Sequence, residues 1–488
     1  MTQVSISHTV STDSSKTLNP SKTLIPLMWF LFLANCGYLL MYAPNLPIWQ
    51  LGKWIEINGL SIIIWMIVSF FSAIIQTYSS NYLKGFKHQN RFTYISFGFT
   101  LSVMAFVIAN HVFLLLGFWF LMGMTMSLLI GIHSEWKEAK HAASFARKNY
   151  IASTFFLALG VILLAIQSGE WNINGILSQL NELSIGTTTI AALCILIAAL
   201  IQSAIFPFHT WLMSAMTSPT PASALMHAGF VNAAGILLTL FSPLWFETQL
   251  LSLIFVIGCL TAIIAQFTKL LQVNVKQKLA CSTSAQMSFM VMQCGLGFFS
   301  AAITHLILHG FYKAYLFLSS GEEIENSIPK QPDAIVWKPL QTLLIVTSSI
   351  LGGILFAFLT GKGMTLDTGV LLVFIVVITI GQVVYNILNQ SSLSIAKQLI
   401  VGPLVIILGI AAYAFMFNGV TTLISDMPMI NTAVPLEPIH LIFGLFFLIA
   451  FYVMLSGIYR KNAWIYVKLL NNSQPYSKTI LSFKDKQN

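Results

Sequence analysis

His305–Gly321 reads HLILHGFYKAYLFLSSG, a run apolar enough for a hydrocarbon core that nonetheless carries two histidines and a lysine. His305, His309 and Lys313 stand four residues apart. In an α-helix each such step advances about 400°, so the three drift by only about 40° per step and form one stripe. The rise is about 6 Å per step, so a proton passing between them needs water or rotamer motion. An ionisable group at the centre of a bilayer costs roughly 2.5–3.5 kcal/mol on insertion scales, and those that persist usually mark ion or proton paths. Histidine exchanges its proton near neutral pH. The stripe therefore reads first as a proton relay. Structural polar packing is a second reading. A metal site is a third, because His at i and i+4 can chelate zinc, but no further Cys, Asp or Glu ligand lies nearby and the lysine one turn on would repel the ion.

The rest of the 488-residue chain has the same character. It is 57% hydrophobic and 8% charged, against roughly 25% charged residues in a soluble domain. Apolar runs of membrane-spanning length recur throughout, and lipid obliges each to satisfy its own backbone as a helix. The expected fold is an all-α polytopic membrane protein of about 14 transmembrane helices, at 25–46, 57–79, 93–109, 111–132, 149–167, 187–207, 222–241, 250–268, 281–300, 303–320, 339–360, 369–388, 398–418 and 438–459. Residues 1–24 are expected to be a disordered cytoplasmic tail, 25–459 the membrane domain and 460–488 a second cytoplasmic tail. With both termini inside, 21 of the 24 basic residues fall in inside segments, as the positive-inside rule requires of a multi-pass protein of the cell inner (plasma) membrane. The net charge of +9 is thus a topology signal. The concentrated soluble basic face expected of a nucleic-acid binder is missing. Five scattered cysteines suggest no disulfide framework or zinc ribbon.

Three further segments carry chemistry. Thr217–Leu238, TSPTPASALMHAGFVNAAGILL, has Pro219 and Pro221 to end one helix and begin another, then His227 among small residues that allow close helix contact. The plainer reading of His227 is a satisfied core histidine. Gln202–Leu212, QSAIFPFHTWL, places Pro207 inside an apolar helix, where it should free a carbonyl and kink the chain; broken helices at membrane depth are typical of transporter sites. Lys362, in FAFLTGKGM, could reach the surface or end a broken helix inside the bundle. His111 is a further ionisable candidate within an apolar run.

At these segments the chain resembles the antiporter-like membrane subunits of respiratory complex I and the Mrp cation/proton antiporters, from about residue 57 to 365. The shared motifs are YSSNYL at Tyr78–Leu83, FPFHTWL, SPTPASALMHA at Ser218–Ala228, KQKLACSTSAQMSFM at Lys276–Met290, and HGFYKAYLFLSSG at His309–Gly321. The resemblance implies two inverted five-helix repeats with two broken helices, and a hydrated row of titratable residues across the midplane. His227, His305, His309 and Lys313 fall on the family's channel positions, and Lys362 on its broken-helix lysine. Two departures stand out. The family's glutamate after a tryptophan is Phe120 here, after Trp119, and its lysine before the first kink is Gln202. Losing both fits loss of the pair as a unit, so Gln202→Lys should do harm and Phe120→Glu should repair part of it; the proton path would then pass His111 or a partner-facing surface on its way to His227. The variant HAGFVNAAGILL looks like the DabB branch, the membrane subunits of the DAB inorganic carbon accumulation complex. That branch implies a large, cytoplasm-facing zinc-binding partner related in chemistry to β-carbonic anhydrases.

Three functions follow for weighing. One is a proton-conducting subunit that energises bicarbonate or CO2 uptake through such a partner. Another is a Na+/H+ antiporter or redox-pump subunit; the lack of an acidic residue within the expected spans weighs against sodium, which wants oxygen ligands. The last is a passive membrane anchor, which has no use for a buried basic stripe. With no nucleophile–base arrangement, no metal cluster and no cofactor motif in its sequence, the chain reads as a transporter subunit, with catalysis in the partner.

Overall fold

A computed structural model describes residues 20–320, 339–388, 395–430, 432 and 434–480. Most of the expected tail 1–24 and the last residues of the tail 460–488 lie outside the described residues, as do Lys330 and Lys338. The chain opens with α1 (Ser21–Tyr42), followed by a short hairpin, β1 (Trp49–Leu51) and β2 (Ile55–Ile57), paired antiparallel with Gln50 opposite Glu56. Then come α2 (Gly59–Tyr82), α3 (Gln89–Val107), α4 (Val112–Ile130), α5 (Lys137–Ser168), the short α6 (Ile173–Ser178) and α7 (Ile185–Gln202). A broken stretch follows, made of α8 (Thr210–Ser214), α9 (Thr220–Ala228) and α10 (Ala233–Leu240), with a short α11 (Ser242–Glu247). After it run α12 (Leu251–Leu271), α13 (Val275–Gly295), α14 (Phe299–Leu318), α15 (Pro339–Thr360), α16 (Gly369–Leu388), α17 (Ile395–Leu423) and α18 (Pro438–Ser456). Two small helices follow, α19 (Ile458–Lys461) and α20 (Ala463–Asn472).

Each of the fourteen expected segments falls largely on helix. Among the described residues, ten stretches are long and apolar enough to cross a membrane. The helices outside that set include α13 and α14, and the reason is chemical. They carry the serines, glutamines, histidines and lysine of the interior, and their polar residues, Ser284, Ser288, Gln293, His309 and Lys313 among them, are buried against other helices.

The caps are local chemistry. Asn58 accepts from the Ser61 backbone at 3.0 Å while the Ser61 hydroxyl accepts from the Asn58 backbone at 2.8 Å, closing a capping box on α2. α5, at 32 residues, is about 48 Å long, well beyond a hydrocarbon core of about 30 Å; its first turns carry Lys137, Lys140, Arg147 and Lys148.

The connections gather at two ends. At one, Lys87 pairs with Glu135 at 2.9 Å, Lys276 donates to the Ser218 carbonyl at 3.0 Å, and Phe145 stacks on Tyr476 at 4.7 Å. At the other, Lys53 pairs with Glu170 at 3.0 Å, the Gly59 N–H donates to Asp426 at 3.2 Å, and Ser252 donates to Glu437 at 2.8 Å. The first is the basic end. Among the described residues the second holds Lys53 and Lys362 with seven carboxylates: Glu56, Glu170, Glu182, Glu247, Asp367, Asp426 and Glu437. Between the ends lie two apolar cores. The larger is built on α2–α10, with α13 and α14; the smaller joins α12–α14 to α15–α18.

Candidate functional site

The seam between the two cores is formed by α13 and α14, and the stripe lies on α14. Counting along its axis, His305 is about 9 Å from its start and Lys313 about 21 Å, with His309 near mid-length. Lys313 is fully buried, His309 is 4% exposed and His227 is fully buried. The His305 and His309 rings are nearly parallel at 6.1 Å between centroids. The ring of His227, on α9, stacks on Phe317 of α14 at 4.4 Å. The structure therefore brings His227 of α9 against the face of α14 that carries the stripe, while Lys313 and His305 turn towards α13. Gly310 makes that contact close: a Cβ there would sit 2.4 Å from a Phe71 ring carbon and 3.2 Å from the Ala228 carbonyl oxygen. Gly310→Val is accordingly expected to cost about 1–3 kcal/mol by overpacking, seen as reduced yield and a lower melting temperature of the detergent-solubilised protein.

The hydrogen bonds are one-sided. Lys313 Nζ donates to the Leu279 carbonyl of α13 at 3.0 Å. Both ring nitrogens of His227 and of His309, and Nε2 of His305, are buried with no protein partner. A buried polar atom left unpaired is costly, and hydration of the row is the physical remedy. The ion pairs among the described residues are Lys53–Glu170 and Lys87–Glu135, both at the bundle ends, so Lys313 has no carboxylate partner there. Among the described residues no three His, Cys, Asp or Glu side chains gather as a metal site. At the basic end burial, then the neighbouring His88 and Lys276, hold the His133 imidazole below its usual range, so it stays neutral near pH 7 beside the lysines.

The first break departs from expectation in position. α7 stops at Gln202, before Pro207, which lies in the non-helical link to α8 rather than within a helix. Proline disfavours helix at the residue before it, and here the chain leaves the helix earlier, with Ala204 at φ +54°. The freed groups are recovered by side chains, as buried irregular backbone demands. Trp211 Nε1 donates to the Ile201 carbonyl at 2.8 Å and Ser284 to the Ala204 carbonyl at 3.3 Å; Ser203 at this break serves the next one, between α9 and α10, donating to the Val231 carbonyl and accepting from Ala234 N–H at 2.9 Å. Pro219 and Pro221 sit at the start of α9, where proline is tolerated. Trp211, Ser203 and Ser284 do not stand out in the sequence, because their role exists only once the break is folded.

The remaining candidates lie apart from the row. His111 is at the opposite end, capping α4 by accepting from Phe113 N–H at 3.3 Å and stacked on Trp54 at 4.0 Å; it is outside the helices rather than within a span. Lys362 follows α15 in a turn between Gly361 and Gly363, both at positive φ, half-buried with its ammonium 4.8 Å from the Phe298 ring and 5.7 Å from that of Phe417. Gln202 is fully buried with both amide atoms unpartnered. Phe120 is 43% exposed, whereas Trp119 is buried and donates to Ser153, which in turn donates to the Ala198 carbonyl of α7. The face of α4 turned towards α7 is thus that of Trp119, and Phe120 looks outward.

The chain is similar to known proteins along most of this core. It is 34% identical over 300 residues to "Probable inorganic carbon transporter subunit DabB1" of Halothiobacillus neapolitanus, covering 60% of this chain and 53% of that protein. It is 31% identical over 319 residues to the chloroplastic NAD(P)H-quinone oxidoreductase subunit 5 of Chara vulgaris, covering 62% and 47%. The chain spans about half the length of these curated relatives. In structure it resembles a chain of the Mrp complex from Dietzia sp., with a TM-score of 0.62 at 20% identity over 92% of this chain and 55% of that one. It also resembles a chain of the membrane-bound sulfane sulfur reductase, an archaeal respiratory membrane complex, with a TM-score of 0.56 at 17% identity over 93% and 91%. The model of the NADH:quinone oxidoreductase/Mrp antiporter transmembrane family matches residues 109–383, which include both the break after Gln202 and the histidine–lysine row, and the chain belongs to that family.

Proposed function

We propose that this chain is the proton-conducting membrane subunit of an inorganic carbon uptake assembly, using the cation gradient to drive a DabA-type zinc-binding partner that handles bicarbonate or CO2. The observation that carries the reading is the row of buried His227, His309 and Lys313 with half-buried His305 at its end, in a chain similar to proteins named as probable inorganic carbon transporter subunits. Lys362 stands where the row would meet the opposite end, and Gln202 and Pro207 mark the first broken helix. The proposed topology has fourteen spans, built as two inverted repeats with two broken helices, in the cell inner membrane. Collection of basic residues at one end supports placing that end, and both termini, in the cytoplasm. Sodium exchange is disfavoured because no carboxylate among the described residues joins the row.

Co-expression with a DabA-type partner is expected to restore growth at low CO2 to a host lacking carbonic anhydrase, whereas this chain alone does not restore it. Labelled inorganic carbon should stop accumulating when a protonophore collapses the gradient. Accumulation that survives the protonophore would remove the coupling.

A further inference from the structure

Two cavities adjoin on the side of α14 that carries His305. The first, of about 340 Å³, is walled by α13–α17 and takes in His305, Gln286, Gln293, Thr379 and Tyr413. The second, of about 300 Å³, takes in Gln266, Gln382 and Lys269. They share Gln286, Phe289, Ile375 and Thr379 as a common wall. Lys269 is in the last turn of α12, at the basic end, so the pair of cavities leads from that end towards His305.

Their lining is unusual for a crevice among membrane helices. Four carboxamides and a threonine hydroxyl line them, although an unpaired polar group in an apolar setting costs roughly 1–3 kcal/mol by protein mutational data. Gln293 is 1% exposed, yet its Oε1 has no partner, nor has His305 Nε2. Both residues line the first cavity. Carboxamides and hydroxyls donate and accept but do not titrate, which suits them to order a water chain without trapping the proton. Gln286 and Gln293 are seven residues apart, two helical turns on one face of α13, about 10 Å along its axis.

We propose that these cavities form a hydrated side inlet, through which protons reach His305 from the basic end past Lys269, Gln286 and Gln293 without passing Gln202. The inlet rests on the proton-conducting reading, and it supplies the access route that the absent Glu–Lys pair leaves open. Its occupant is water; an acyl chain filling the crevice is the competing outcome.

The test uses the full chain with its five native cysteines replaced, in vesicles of defined orientation. Thr379→Cys is expected to react with a membrane-impermeant cationic thiol reagent at least tenfold faster from the basic face than from the other face. Leu351→Cys, on the exposed face of α15, should react only with a membrane-permeable maleimide. Gln286→Leu should slow the labelling of Thr379→Cys and lower proton flux about fivefold. Reaction of Thr379→Cys with the permeable reagent alone means lipid fills the crevice and overturns the inlet, while normal flux in that protein leaves the conduction reading standing. Labelling that Gln286→Leu slows without any loss of flux overturns the inlet as a proton route. Absence of proton flux in the otherwise unaltered chain with its partner removes the conduction reading, and the inlet with it.

Discussion

His309→Ala is expected to lower proton flux at least a hundredfold while leaving membrane insertion intact. His309 is near the middle of α14, 4% exposed, between the parallel ring of His305 on one side and Lys313 on the other. Steps of about 6 Å separate successive positions. Removing the middle group doubles the gap to about 12 Å, with Gly310 and Phe71 closing the packing beside it. Both ring nitrogens of His309 lack protein partners, so the substitution breaks no protein hydrogen bond and the cost to folding is the cavity alone. Flux is read with a pH-sensitive dye in proteoliposomes of the assembled complex, and insertion from yield and elution profile. His309→Gln, which keeps hydrogen bonding but cannot carry a proton at neutral pH, should be as inactive as alanine. Unchanged flux in either variant takes His309 out of the path.

The second large effect is expected from Gln202→Lys, through folding rather than conduction. Gln202 is fully buried at the last turn of α7. A lysine there brings a charge worth roughly 2.5–3.5 kcal/mol on insertion scales, and no carboxylate among the described residues lies at the break to receive it. Yield of folded protein should fall several-fold and flux with it. The resemblance implies that Phe120→Glu would repair part of this loss. The geometry reverses that expectation: position 120 faces outward, and it is Trp119 that reaches towards α7 through Ser153. The double variant should therefore be no better than Gln202→Lys alone in this chain by itself. A double-mutant cycle on yield measures it, and recovery by more than about twofold would show that the two positions couple after all.

Much of the site is legible in the sequence because helix geometry is local. A spacing of four puts His305, His309 and Lys313 on one stripe whatever surrounds them. Prolines at 219 and 221 must begin a helix or interrupt one. His111 misled because an apolar run does not show where its helix begins; an N-cap and the first interior residue look alike until the cap bond is seen. Pro207 misled for a related reason. The residue that cannot join a helix is visible, but the point at which the chain abandons the helix depends on Trp211 and Ser284 arriving to take up the freed carbonyls.

By itself, then, the sequence determined the membrane class, the helical segments, the alternation of basic connections and the titratable stripe, since each follows from composition or from a period along one helix. Tertiary structure alone decided that His227 meets that stripe across Phe317 and Gly310, that Phe120 turns away from Gln202, and that glutamines of α12, α13 and α16 line adjoining cavities beside His305. Those are relations between helices far apart in the chain, set by which faces pack, and no periodicity within a single helix encodes them.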